Sequence, residues 1–265
     1  MQGLFTFLGT GTSMGVPTLG CDCPVCTSSD PHDRRLRPSV LVRWQQDARE
    51  RVLVIDTGPD FREQALRTGI HRVDAVLYTH NHADHILGLD DLRPLSFTVA
   101  REGARIPLYA SEDTAAVLTR VYDYTFSPSA TYPNRARVDL LPLADRIHLH
   151  GVDVVRIPVL HGRQKIDGFR FGRVAYLTDV SDIPEASFAL LEGLDCIVLS
   201  ALRHNPHPSH ATLDQAVAWA RRIGARRTFF THIAHELPHA ETNRTLPEGM
   251  ELAYDGLTFA VTLTV

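Results

Sequence analysis

The sequence contains no long apolar run and no excess of positive charge. No run of about eighteen apolar residues occurs, which argues against a membrane-spanning helix. The 27 Lys and Arg residues face 31 Asp and Glu residues, giving a formal net charge of -4. This balance argues against a nucleic-acid binder that works through a broad basic surface. We therefore expect no membrane association and no stable nucleic-acid partner.

Linkers and repeats are missing as well. No Pro-, Gly- or Ser-rich stretch, block of like charges or low-complexity tract divides the chain, and no internal repeat is visible. The 265 residues, 44% of them hydrophobic, are enough to bury a large core. We expect one domain over residues 1–265.

Cysteine is scarce, and three of the four cysteines lie within six residues, at Cys21, Cys23 and Cys26. This spacing is too tight for a disulfide framework, whereas such clusters in a reducing cytosol are typically metal ligands. Cys196 lies in an apolar run that predicts a buried strand. The apolar segment 1–8 has no basic region before it and predicts a first strand, not a signal peptide. We expect a cytoplasmic protein.

Several predicted strands end at a residue type that binds metals. Val73 to Tyr78 runs into His80-x-His82-x-Asp84-His85, an earlier strand leads to Asp56, and later strands lead to His161, Asp179 and His232. Strands in both halves of the chain, each half with its own helices, predict an α/β fold in four αββα layers. The ligand-bearing strand ends would then meet along one edge.

The central cluster places four potential ligands in six residues. His80 and His82 are two apart, so extended backbone projects them to the same side. Asp84 and His85 follow a turn and can bind a second ion. Imidazole and carboxylate together suit zinc, manganese, iron or nickel. The alternative is a solvated histidine-rich loop.

The HxHxDH motif, together with the strand-end residues Asp56, His161, Asp179 and His232 in that order, resembles the metallo-β-lactamase superfamily. The resemblance implies the four-layer sandwich and a pair of divalent ions, zinc or manganese, with Asp84 also counted as catalytic and Asp56 orienting a ligand. Asp179 could instead cap a helix, and Asp56 could cap its own glycine turn. The implied ligands are His80, His82 and His161 for one ion, Asp84, His85 and His232 for the other, and Asp179 as the bridge.

The cysteine loop, residues 15–30, predicts a third metal site. Three thiolates can surround one tetrahedral zinc ion, but a closed structural site needs a fourth ligand. His235 is the best candidate, because it lies three residues after His232. The rival ligands are Asp22, His32 and His239, and the alternative is a reduced loop without metal.

A narrower resemblance rests on residues 8–17, the cysteine loop and the segment 231–235. Together they resemble the phosphoribosyl 1,2-cyclic phosphate phosphodiesterases of phosphonate degradation. This implies hydrolysis of a small, cyclic ribose or nucleotide phosphodiester and one structural zinc ion. His210, just before a predicted helix, resembles the family's catalytic histidine and is our general acid. The alternative is that Ser209 or Thr212 caps this helix and that His210 is an incidental loop residue. His204 and His207 are weaker candidates for the general-acid role or for substrate contact.

Other functions fit parts of the pattern. The glycine-rich start and the histidine cluster also resemble transfer-RNA 3′-processing endonucleases, although no long basic insertion that could grip RNA is present. The same activated water could attack a thioester or a lactone. A non-catalytic metal carrier, resembling proteins of quinone-cofactor synthesis, is a further alternative. Because relatives in this superfamily often dimerise, a homodimer is expected.

Overall fold

The computed structural model describes residues 1–129 and 131–264, and within them the chain forms fourteen strands and eight α-helices. The strands are β1 (Gln2–Gly9), β2 (Ser39–Gln46), β3 (Arg49–Ile55), β4 (Ala75–Leu77), β5 (Ile106–Ala110), β6 (Val138–Pro142), β7 (Arg146–Leu149), β8 (Val152–His161), β9 (Gln164–Phe171), β10 (Val174–Leu177), β11 (Cys196–Ser200), β12 (Arg227–Thr231), β13 (Met250–Leu252) and β14 (Thr258–Thr262). The helices are α1 (Phe61–Arg67), α2 (Ala83–Ile86), α3 (Leu92–Ala100), α4 (Glu112–Val121), α5 (Asp123–Phe126), α6 (Glu185–Ala189), α7 (Leu213–Ile223) and α8 (His239–Thr245).

The strands form two seven-stranded sheets. One has the order β14-β1-β2-β3-β4-β5-β6 and the other β13-β12-β11-β10-β9-β8-β7. Each half of the chain builds one sheet, except that β14 returns to pair antiparallel with β1. Strands β3 to β6 are parallel to one another, as are β10 to β13.

Successive side chains of a strand point to opposite faces of its sheet, and both faces are buried. In β2, Val40 and Val42 belong to the core between the sheets, and Leu41 belongs to the core under the helices. This is the period of two that a strand imposes, here with both faces buried. Helices α1 and α3 to α5 pack on the first sheet, and α6 and α7 pack on the second. The four-layer αββα sandwich expected from the sequence is confirmed.

The parallel strands bring their carboxyl ends to one edge of each sheet. The connections that leave β3, β4, β10, β11 and β12 therefore start at this edge, and β8 also ends there at His161. No helix in the described ranges is both long and apolar enough to cross a membrane.

The buried carboxylate of Asp255 connects two loops at this edge by hydrogen bonds. The Asp255 carboxylate accepts hydrogen bonds from the Thr10 backbone N–H (2.9 Å), the Thr10 hydroxyl (2.8 Å) and the Leu36 N–H (2.8 Å). The Thr10 carbonyl in turn accepts from the N–H of Ile233, next to His232. Burial raises the pKa of Asp255 to about 6. The loop after β1 is thereby fixed to the segment that carries His232.

We expect Asp255→Ala to lower the free energy of unfolding by about 2–4 kcal/mol, since buried donors lose their acceptor. A raised carboxyl pKa means that the folded state holds the proton more tightly, so ionisation of Asp255 costs stability as the pH rises from about 4 to about 6. The advantage of the wild type over the variant should therefore shrink across that window and stay constant above it.

Urea unfolding at pH 4.5 and pH 7 measures this difference. Asp145→Ala is the matched control, because the Asp145 side chain is 97% exposed. An advantage that grew with pH would show that Asp255 stabilises the fold as an anion, contrary to this prediction.

Candidate metal centres

Two groups of ligand-type side chains meet at the shared edge, and within each group the ligand atoms lie within 4.8 Å of one another. One carboxylate, that of Asp179, belongs to both groups. The structure thus brings the seven candidate ligands into the two sets that the resemblance implies. The first group is His80, His82, His161 and Asp179, and the second is Asp84, His85, Asp179 and His232.

Strained backbone accompanies the strand ends. Asp56, Asp179 and His232 leave their strands with φ of 62°, 58° and 56°. Left-handed backbone costs a residue with a Cβ atom about 1–2 kcal/mol. Such residues persist where the surrounding structure fixes them, and they cluster at functional sites. Two of these three residues, Asp179 and His232, belong to the ligand groups themselves.

Hydrogen bonds fix the orientation of three histidine rings. His85 Nδ1 lies 2.7 Å from Asp56 Oδ2, and His161 Nδ1 donates to the Ser209 carbonyl at 2.6 Å. The Thr79 hydroxyl donates to Asp56 Oδ2 at 2.8 Å and therefore accepts from His80 Nδ1 at 3.0 Å. Each ring then presents Nε2 to the site, as rings that bind metals usually do.

Asp56 thus contacts His85 directly and His80 through Thr79, the contacts that an orienting role requires; the role itself stays a prediction. The contributions of Thr79 and Ser209 were not predicted. Thr79 was visible only as a member of the histidine segment. The Ser209 carbonyl has no sequence signal, because every residue carries one.

The donor set fits metal ions. Among the described residues, the buried atoms His80 Nε2, His85 Nε2, His232 Nε2 and Asp84 Oδ2 have no hydrogen-bond partner. Buried polar atoms rarely lack a hydrogen-bond partner. The residues that carry these four atoms all belong to the two ligand groups, which is the arrangement that a metal site requires. Burial works to raise the pKa of Asp179, but His232 and His85 outweigh it and hold that pKa well below its usual value. Burial lowers the pKa of His80. Charged carboxylate and neutral imidazole are the states that bind metal. Burial also works to lower the pKa of His85, but Asp84, Asp179 and Asp56 outweigh it and raise that pKa, so His85 would release a proton when a metal ion binds.

The cysteine loop forms a separate cluster with His235. His235 Nδ1 lies 3.3 Å from the Sγ atom of Cys21, 3.6 Å from that of Cys23 and 3.3 Å from that of Cys26. The edge between sulfur and nitrogen in a tetrahedral zinc site is about 3.6 Å, from the usual bond lengths. The cluster therefore has the size that a zinc ion requires.

The geometry favours His235 over the rival fourth ligands. The rings of His32 and His239 pack on each other, with centroids 4.6 Å apart, and both contact Tyr254. His239 Nε2 also pairs with the amide of Asn243 at 3.0 Å. Asp22 is exposed and does not belong to the cluster.

We expect Cys21→Ser to remove about one metal ion per chain while the histidine and aspartate groups keep theirs, because a structural site needs all four ligands. Elemental analysis of the purified protein measures this. Cys196→Ala is the matched control, since Cys196 is buried in β11 away from the cluster. Equal metal content in both variants would contradict a zinc site on the loop.

A cavity of about 260 Å³ opens beside the second group, and His207, His210 and His232 line it. The His210 ring stacks on His232 with centroids 4.7 Å apart and meets His161 edge-on at 4.6 Å. Burial, followed by the nearby His232, lowers the pKa of His210 to about 3. His204 is exposed and does not line this cavity.

Helix capping does not explain His210. The hydroxyl of Thr212 caps α7 by accepting from the Gln215 N–H at 3.2 Å, and the Gln215 side chain accepts from the Thr212 N–H in return. Thr212 therefore caps the helix, and the His210 ring takes no part in the cap. That ring lies between His161 and His232 and lines the cavity.

Residues 51–233 match the family model described as a beta-lactamase superfamily domain. The chain belongs to the metallo-β-lactamase superfamily. Over its full length it is 55% identical to a solved structure described as a new diphosphatase from the PhnP family, with a TM-score of 0.92 and 99% of that chain covered. The resemblance predicted from the sequence is confirmed, and the PhnP family is the branch to which the chain belongs.

Two other relatives are more distant. An octanoyltransferase of Porphyromonas gingivalis is 38% identical over 254 residues, which cover 94% of this chain and 50% of that protein. This member of the metallo-β-lactamase superfamily thus spans half the length of that relative. The zinc-bound PqqB of Methylobacterium extorquens is 21% identical, with a TM-score of 0.75, and covers 97% of this chain and 99% of its own. That match shows the shared fold alone.

Proposed function

We propose that the chain hydrolyses a small phosphodiester, a cyclic ribose or nucleotide phosphate in the first instance, at the centre built around Asp179. One observation carries the proposal: two ligand groups share a buried carboxylate, and a histidine-lined cavity lies beside them. The full-length likeness to a PhnP-family diphosphatase supports phosphorus as the electrophile.

The chain's own residues would hold the ions and the substrate. His80, His82 and His161 would bind one divalent ion, and Asp84, His85 and His232 the other, with Asp179 between them. Two such ions, zinc or manganese, supply an activated water at neutral pH and neutralise phosphate charge. Asp56, Thr79 and the Ser209 carbonyl hold three of the rings in place.

His210 would handle the leaving group. Its ring is held between His161 and His232 and faces the cavity. A phosphate anion bound next to it would favour the protonated ring, because an opposite charge raises the pKa of an imidazole. His210 could then give a proton to the oxygen that departs from phosphorus.

We expect His210→Ala to lower turnover of a phosphodiester by about a hundredfold or more, the usual effect of losing a general acid. Steady-state kinetics on a 2′,3′-cyclic nucleotide measures this, with metal content determined on the same sample. His204→Ala is the matched control, because His204 lies on the same loop but is exposed outside the cavity. Unchanged turnover in His210→Ala would overturn the assignment.

A second candidate substrate is a diphosphate, in which the bond broken is a phosphoric anhydride. The 55% identical neighbour, described as a diphosphatase, favours it. The match to an octanoyltransferase covers half of that protein, and the cavity is lined mostly by polar side chains, which does not suit an octanoyl chain.

Assays of one metal-loaded sample separate these activities. The panel contains a cyclic ribose phosphate, a cyclic nucleotide, a dinucleoside diphosphate, a thioester and a lactone. Hydrolysis of the thioester or lactone alone would overturn the phosphodiesterase proposal. A cytoplasmic location, a homodimer and the lack of a stable nucleic-acid partner remain parts of the proposal.

A further inference from the structure

The cavity beside His210 is built from three segments that are distant in sequence. The loop after β1 contributes Thr12 to Met14 and Thr18, the loop after β11 contributes Leu202, Arg203, His207 and His210, and the segment after β12 contributes His232 and residues 234–236. Arg203 is the sole arginine or lysine among these lining residues. A ligand in this cavity would therefore contact both the edge of the proposed centre and one fixed positive charge.

The Arg203 guanidinium is held in position by its own loop. Its Nε donates to the Asn205 carbonyl at 3.2 Å and its Nη2 to the Pro206 carbonyl at 3.3 Å. The Arg203 carbonyl also accepts from the N–H of Leu213 in the first turn of α7. An arginine has five N–H donors, so these bonds leave others for a ligand. Much of the entropic cost of fixing the side chain is met before a ligand binds.

The carboxylate of Glu236 partly neutralises the charge of the Arg203 guanidinium. Glu236 Oε1 lies 3.3 Å from Arg203 Nη1, and Glu236 Oε2 lies 3.7 Å from His235 Nε2. Both side chains are about one third exposed, Arg203 at 31% and Glu236 at 35%. The pair is therefore a weak one that an incoming anion can replace. Glu236 also connects the cavity to the cysteine cluster through His235.

Phosphate chemistry matches this arrangement. The fork of an arginine binds two phosphate oxygens at once, which an ammonium or an imidazole does not. Thr12, Ser13 and Thr18 also line the cavity, and their hydroxyls are further donors that an anion could use. A cyclic nucleotide that carries no phosphate besides its cyclic diester has no second anionic group for this cavity.

We propose that the cavity is a subsite for the leaving phosphoryl group of a diphosphate, with Arg203 as its specificity-determining cation and Glu236 as the residue that moderates it. The inference rests on the proposed hydrolase function and selects the anhydride among its substrates. The oxygen of a water molecule bonds to one phosphorus while the bond from that phosphorus to the bridging oxygen breaks. The electron pair stays on the bridging oxygen, the second phosphate departs with it, and the water proton passes to a product phosphate or to solvent.

The test compares two substrates that share one scissile nucleoside phosphate. One is a dinucleoside diphosphate, and the other is the p-nitrophenyl ester of the same nucleoside 5′-phosphate, whose leaving group carries no phosphate. Arg203→Gln should lower kcat/KM for the diphosphate by about 10- to 100-fold, the effect of losing a hydrogen-bonded charge, and change that for the ester less than about threefold.

Two further variants give the opposite sign and a partial rescue. Glu236→Gln should lower KM for the diphosphate, because it removes a competing carboxylate, and should leave the ester unaffected. Arg203→Lys should recover part of the lost activity, since it keeps the charge without the fork. Arg120→Gln is the matched control, because Arg120 is exposed on α4 away from the cavity.

Equal losses on both substrates in Arg203→Gln and Arg203→Lys would show that Arg203 only holds its loop, and would overturn the proposal. If the metal-loaded wild type hydrolysed neither of these substrates and no cyclic nucleotide either, the proposed function would fail while the subsite stayed testable. Calorimetric titration with inorganic phosphate then decides: tighter binding to the wild type than to Arg203→Gln supports the subsite, and equal binding overturns it.

Discussion

The rest of the structure depends on the buried carboxylate of Asp179. Its oxygens lie 3.2 Å from His232 Nε2, 3.4 Å from His85 Nε2 and 3.8 Å from His80 Nε2. A charge buried this deeply is tolerated only with partners that compensate it. The three rings come from the ends of β4 and β12 and from α2, so both sheets must pack in one register to bring them to the carboxylate, and bound metal ions would complete the compensation of its charge. The same packing that forms the core between the sheets therefore also assembles the site.

The segment 232–236 connects the three chemical features of this edge. His232 belongs to the centre around Asp179, His235 to the cysteine cluster, and Glu236 to Arg203 in the cavity. Ile233 is hydrogen-bonded to Thr10, whose own N–H and hydroxyl are held by Asp255. A metal ion on the cysteine loop would thus stabilise a segment that also shapes the substrate cavity. This gives the loop a positional role without any part in the chemistry.

Phosphorus chemistry fits this edge better than acyl transfer does. The candidate ligands combine carboxylate and imidazole, and the neighbouring cavity offers histidines, hydroxyls and one arginine. Such a surface compensates the several negative charges of a phosphate ester or anhydride, and a thioester would leave most of it unpaired. The choice between a simple cyclic nucleotide and a diphosphate then depends on the second anion, since the diphosphate places one against Arg203 and a cyclic nucleotide without a further phosphate does not.

The sequence by itself determined the fold family and the identity of the candidate ligands. Ligand types directly after buried strands, such as His80 and Asp179, are a local signal, and the period-two burial that precedes them is local as well. Only the tertiary structure selected His235 over His32 and His239, supplied the Ser209 carbonyl and placed Arg203 beside Glu236. These features depend on which loops meet at the sheet edge. Packing brings these loops together from positions up to 214 residues apart, and no local pattern in the sequence encodes such a contact.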